Sequence, residues 1–383
     1  MEALVDYVKK LAKSGDAKTR RKILDQLRSL SHSIESPDDT IQRISYLNLQ
    51  LAGLRIGVDL KLFSTLTESP GPLSIDQIRA KTKVDPVLLG RVLRYLASID
   101  AIQEVDKDTF TANNMSKTFA TTGAEAAIHH YFDAMGPGFQ ELPDLLKDTQ
   151  YADPEDSTNT GIQRAWKTDL PLFLWFQEQP EKLSYFQHYL LTMNRSGRAN
   201  FLDAYPVLEK TTTNLDPERA LFVDVGGGYG TQSIAFREKY PDLPGKVIME
   251  DLPETVKQLA RHPGVEALAQ DFFQPQIIKG AKFYYMRNIM HDWPDDKCRL
   301  ILKHLIDAME PDSYILLDEM VLPNSGVHWQ QAQLDMLMMA VLAARERTHE
   351  QWSKLLDSVG LKINNIYTYN DTLQDGIIEA VRV

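Results

Sequence analysis

The sequence predicts an α/β protein in two parts: a mainly helical N-terminal half carrying a winged helix, and a C-terminal half built on a mostly parallel sheet. Three observations predict it. Apolar residues recur at helical spacing through the first 66 positions. Two short helical patterns and a hairpin pattern follow between Leu73 and Thr111. From Ala220 onward, apolar runs of strand length alternate with helix-length segments, as in a parallel sheet covered on both faces. At 383 residues the chain is long enough to bury two cores.

The elements follow in order. Residues 4 to 33 alternate charged and apolar positions, with Ile23, Leu24, Leu27 and Leu30 on one side, and predict one or two amphipathic helices. Thr40 to about Leu66 is richer in apolar residues (Leu49, Leu54, Ile56, Leu60, Phe63), so a partner subunit is a candidate cover. Ser69-Pro70-Gly71-Pro72 ends that stretch, and Ser74 with Gln77 has the pattern of a capping box. A helix then runs to Lys81, Asp85-Pro86 supplies a cap and a first-turn proline, and Val87 to Ile99 forms the second helix. Ile102–Val105 and Thr109–Thr111 around a polar turn complete the winged helix.

Residues 148 to 165 are polar and predict a surface loop, followed by an aromatic-rich helical region from Trp166 to Met193 whose stripe suits either core or pocket wall. Leu221–Val225, Lys246–Glu250, Lys282–Met286 and Tyr314–Leu317 are the predicted strands.

Composition removes several function classes. A hydrophobic fraction of 43% without any run near the ~18 apolar residues of a membrane span excludes a membrane protein. A formal net charge of −11 disfavours nucleic acid, and the second helix of the winged helix offers only Arg91 and Arg94, so that module is read as packing rather than DNA recognition. A single cysteine, Cys298, excludes intrachain disulfides and cysteine-rich zinc sites, and no metal is expected. Glu2 and Asp6 stand where a secretory signal would be basic, which predicts a cytoplasmic protein.

Three motifs carry chemistry. Val223-Asp224-Val225-Gly226-Gly227-Gly228-Tyr229-Gly230 lies where the first strand should turn into a helix, and its glycines let backbone amides approach a ligand. Thr231 stands where a dinucleotide fingerprint wants glycine or alanine, so the spacing is G-x-G-x-G. Glu250-Asp251-Leu252-Pro253 ends the second strand, where a carboxylate can accept both ribose hydroxyls of an adenosine ligand or simply cap a helix. Asp271, in Gln270-Asp271-Phe272-Phe273, follows the third strand, where it can take an adenine amino proton. Finally, Arg287-Asn288-Ile289-Met290-His291-Asp292-Trp293 ends the fourth strand, which neighbours the first in a doubly wound sheet. His291 is therefore expected in the crevice of the glycine loop.

These motifs, with Asp318-Glu319-Met320-Val321-Leu322-Pro323 and Arg345-Glu346-Arg347-Thr348, occur in the order and spacing of the plant and fungal small-molecule O-methyltransferases, and nearly the whole chain resembles that family. The resemblance implies a winged-helix dimerisation domain over 1–165 and a Rossmann-like domain with a seven-stranded, mostly parallel sheet over 166–383. It implies S-adenosylmethionine as cofactor, held by Asp224, Gly226, Gly228, Gly230, Asp251, Leu252, Asp271, Phe272 and Arg287. It implies a homodimer acting on a small aromatic or polyketide-type acceptor.

His291 looks like the catalytic base of that family, with Glu319 and Glu346 as its flanking carboxylates. His130, Phe186, Leu190, Met193, Met336, Met339 and Asp292 resemble the acceptor pocket. A phenol titrates near ~10 and needs such a base to attack at neutral pH. Some fungal relatives keep the cofactor site yet catalyse pericyclic reactions, usually without the histidine and glutamate set; retention of all three residues here favours methyl transfer. A winged-helix regulator is the third reading.

Overall fold

The structure, a computed structural model, describes residues 2–195, 201–211, 216–257, 262–371 and 373–383, with the side chains of 193–195 also outside the description. The chain folds as two units. The first holds everything up to Glu141 together with the segment from Arg164 that carries the helix Pro180–Arg195; the second holds Leu142–Gln163 and the chain from Phe201 onward. This differs from a single boundary between 165 and 166. The helix Pro180–Arg195 packs on Thr122–His129, where Gly123 leaves room for Thr192 and the Tyr131 and Tyr189 hydroxyls meet at 3.1 Å.

In the first unit, the helices Glu2–Ser14, Ala17–Ile34 and Pro37–Ser45 bury no residue. Asp16 and Ser36 cap the second and third of them. The expected long helix from Thr40 is instead broken at Tyr46 and at Lys61, whose φ of 52° no helix continues through. Leu54, Val58, Phe63, Ile78, Leu89, Leu93, Leu96 and Phe110 form the core. Strand β1 (Leu73–Ser74), the helices Ile75–Thr82 and Pro86–Ser98, and the antiparallel strands β2 (Gln103–Asp106) and β3 (Thr109–Thr111) make the winged helix. Both caps form as the sequence predicts: Ser74 and Gln77 close a capping box, and Asp85 accepts the Val87 and Leu88 amides.

The second unit is a sheet of β4 (Ala220–Val225), β5 (Lys246–Asp251), β6 (Glu266–Ala269), β7 (Phe283–Arg287), β8 (Tyr314–Leu322), β9 (Arg347–Thr348), β10 (Leu361–Asn370) and β11 (Asp375–Arg382). Seven strands run in the order β10-β11-β8-β7-β4-β5-β6, and β9 adds a short parallel pairing to β8. Pairings from β6 to β8 are parallel; β11 lies antiparallel between β8 and β10. The order reverses at β4, which pairs with both β5 and β7, and this switch point puts their C-terminal ends beside each other. One sheet face packs Val223, Tyr284, Met286, Ile301 and Trp352; the other packs Phe222, Phe236, Phe283 and Tyr285. Within the polar segment 148–165, the helix Gly161–Trp166 begins earlier than expected and is covered where Ile162 and Gln163 are buried.

Candidate active site

The glycine loop leaves β4 with positive φ at Gly226 (73°), Gly228 (58°) and Gly230 (71°), a backbone that side chains rarely adopt. A Cβ on Gly227 would lie 2.6 Å from Met249 Cγ and 2.8 Å from Asp224 Cγ, whereas one on Gly228 would meet nothing within 4 Å. The space above Gly228 is therefore open. The Gly226 and Gly227 amides donate to the Glu250 carbonyl at 2.9 Å, and the Gly228 amide donates to Asp251 Oδ2 at 2.9 Å. Asp251 Oδ1 takes the Leu252 amide at 2.8 Å, leaving further lone pairs on both oxygens.

Asp224 is buried and accepts from Ser233 Oγ at 2.8 Å; burial pushes its carboxyl up to about 7. Ile289 and Phe272 wall Gly226, and Asp271 Oδ1 holds the Phe273 amide at 2.9 Å. Open space over a glycine turn, a strand-end carboxylate with spare lone pairs and an apolar wall fit an adenosine ligand. Arg287 lies 3.6 Å from Asp318, whose carboxylate also accepts the Tyr285 and Tyr369 hydroxyls.

His291 stands in the turn Met290–Asp292 just after β7, on the next strand end across the switch point. Its Nδ1 lies 2.8 Å from Glu346 Oε1, and its Nε2 lies 3.4 Å from Asp292 Oδ1. A carboxylate only accepts, so Nδ1 donates to Glu346, and once the ring is neutral the lone pair falls on Nε2. Glu319 Oε1 takes the Ile289 and Met290 amides at 3.0 and 2.8 Å, so this carboxylate grips the turn's backbone rather than the ring.

Burial opposes a charge on the imidazole, but Glu346, Asp292 and Glu319 together outweigh it and hold its pKa well above 6.5. Burial likewise pushes Glu319 up to about 7 and Asp292 up to about 6, against the pull of the His291 cation.

The remaining expected residues divide between the units. In the first, His130 opens a π-helical turn, is 5% exposed, and lies against Phe176, Phe186, Tyr189 and Tyr131 with Nδ1 unpartnered; burial lowers its pKa to about 4. Leu190 is exposed, and the Met193 side chain lies outside the described residues. In the second, the helix Trp329–Leu342 exposes Met336, half-buries Met339 and buries Met338.

Sequence reasoning missed Arg347. It is 1% exposed and donates to the carbonyls of Met290 and Trp293 on either side of His291. The signal was a cation directly after Glu346 in an otherwise core-forming stretch, since a charge there must find partners.

Comparison with known proteins places these features in a family. A model described as an O-methyltransferase domain matches residues 200–362, and one described as an O-methyltransferase dimerisation domain matches residues 51–122. The chain is 39% identical to demethylsterigmatocystin 6-O-methyltransferase of Aspergillus parasiticus over 100% of this chain and 98% of that one. The solved structure of LepI with S-adenosylmethionine is similar at 35% identity and a TM-score of 0.92, covering 100% of this chain and 98% of that one. A structure described as a pericyclic reaction enzyme also matches, at 34% identity and a TM-score of 0.92 over 100% of this chain and 99% of the other.

Proposed function

The chain belongs to the O-methyltransferase family, and on that premise we propose that it methylates a phenolic hydroxyl of a small aromatic or polyketide-type metabolite, with His291 as general base. S-adenosylmethionine is the cofactor and supplies an electrophilic methyl group. Gly228, Asp251 and the Phe272 wall are the residues that would hold its adenosine part.

The observation that carries the reading is the His291–Glu346 contact at 2.8 Å. Glu346 fixes the tautomer, so Nε2 is the nitrogen free to take the acceptor's proton, and the carboxylate stabilises the imidazolium that results. Glu319 keeps the turn in place from below and adds negative charge. The acceptor hydroxyl would give its proton to Nε2, so positive charge moves onto a ring already surrounded by carboxylates. Such a base supplies a factor on the order of 10² to 10⁴. The dimerisation domain together with the unburied N-terminal helices supports a homodimer.

One observation favours a second reading, the likeness to a pericyclic reaction enzyme. In that case product forms while the cofactor keeps its methyl group. Incubation with a panel of phenols and methyl-labelled cofactor separates the two. The expected result is labelled product with one demethylated cofactor per turnover, and a fall of roughly 10²-fold or more in His291→Ala with cofactor affinity unchanged. Wild-type turnover by that variant on a true acceptor would remove His291 from the mechanism.

A further inference from the structure

We propose that Arg347 is the positioning residue of the base: its buried guanidinium brackets His291 by holding the backbone carbonyls on both sides of it, and so sets the ring's alignment with Glu346. The proposal rests on the reading of His291 as base, and it adds a residue that reaches neither acceptor nor cofactor.

The guanidinium spends its donors on the stretch 290–298. Nη1 donates to the Met290 carbonyl at 2.9 Å, and Nη2 donates to the Trp293 carbonyl at 3.0 Å, to Asp295 Oδ1 at 2.7 Å and to Cys298 Sγ at 3.4 Å. Nε also reaches Asp295 Oδ1, at 3.1 Å. The Trp352 ring lies 5.2 Å from the guanidinium carbon.

A buried cation is costly unless its donors are matched, and here the matching atoms belong to the turn that carries the base and to the helix Asp295–Ile306 that follows it. Glu346 immediately precedes β9 and Arg347 begins it, and successive side chains in extended chain alternate between faces, so one takes the ring and the other the backbone. Lysine cannot reproduce this grip, because a point-like ammonium lacks the planar fork that meets two carbonyls and a carboxylate at once.

The charged groups around the imidazole are Glu346, Asp292 and Glu319, with Arg347 and Asp295 behind the turn. This arrangement makes the sign of one measurement decisive. If Arg347 acted only as a nearby cation, removing its charge would raise the imidazole pKa, since a like charge disfavours protonation. If it holds the turn, removal loosens the Glu346 contact and the pKa falls toward the ordinary value.

The test uses the full chain with histidine labelled at Cε1 and titrated by NMR, the His291 signal being assigned by its loss in His291→Asn. Arg347→Met and Arg347→Lys are compared with wild type, alongside initial rates on the alkaline plateau, where the base is deprotonated in every variant. The expected result is a lowered His291 midpoint in both variants and a kcat reduced about tenfold or more with the acceptor KM within about twofold, lysine recovering only part.

A His291 midpoint that stays put or rises, or a lysine variant with wild-type kcat, overturns the proposal. Should the methionine variant fail to fold, the lysine variant decides, because it keeps charge and most of the packing. If His291→Asn keeps full turnover while the Arg347 variants still lower the midpoint, the base reading falls and the positioning of the ring stands.

Discussion

His291 contacts Glu346 and Asp292 and feels the charge of Glu319 through space, and the sign of its pKa shift follows from that arrangement. Because the surrounding carboxylates raise the folded pKa above 6.5, the proposed base is freed of its proton only as pH rises through that raised value. Activity should therefore increase with pH along a limb centred above 6.5, and be lost as pH falls through it. Glu346→Gln removes the negative charge in contact with Nδ1 that favours the imidazolium, and lets the ring choose the other tautomer. Its limb should move toward lower pH while the plateau kcat drops by roughly 10² or more, read from pH–rate profiles. An unmoved limb would mean that Glu346 does not act on the ring. The sequence placed Glu319 and Glu346 in the same role beside the histidine. Only contact distances separate them, since one accepts from the ring and the other from two backbone amides, and a motif carries no information on which.

At the scale of elements, the glycine loop is wedged rather than merely flexible. Gly227 has no positive φ, yet any side chain there would press on Met249 and on an aspartate pinned by Ser233. Gly227→Ala is expected to cost about 1 to 3 kcal/mol of stability by overpacking and to weaken cofactor binding as the loop shifts, seen in denaturant melts and cofactor titration. Wild-type values in both would show that Met249 yields freely. The strands were readable from apolar runs because both faces of a parallel sheet are covered, and the switch-point neighbours followed from the doubly wound pattern. The break at Lys61 was not readable, because nothing in that sequence separates a helix from two helices joined by one left-handed residue. Nor was the return of Pro180–Arg195 to the first unit, which depends on close approach at Gly123 rather than on local propensity.

For the whole molecule, the governing fact is that three N-terminal helices bury none of their residues while carrying Leu4, Tyr7, Leu24, Leu30, Ile34 and Ile41 in the open. Apolar surface of that extent is costly to leave wet. Deleting residues 1–35 should yield monomers or aggregates, and the full chain should sediment as a dimer; a full chain that sediments as a monomer at micromolar concentration would contradict the homodimer. Among the described residues, no helix is long and apolar enough to cross a membrane. The molecule's single sulfhydryl has a different kind of consequence. Cys298 is fully buried behind the turn that carries His291, its single S–H lies within reach of the Met290 and Trp293 carbonyls, both 3.3 Å from Sγ, and its thiol is pushed up to about 12 by burial. Thiolate is the form of cysteine that oxidants and alkylating agents attack, so in the folded protein Cys298 gives them no reactive thiolate. That sulfur is thereby insulated from the redox state of its surroundings, and becomes vulnerable only when the turn carrying His291 opens.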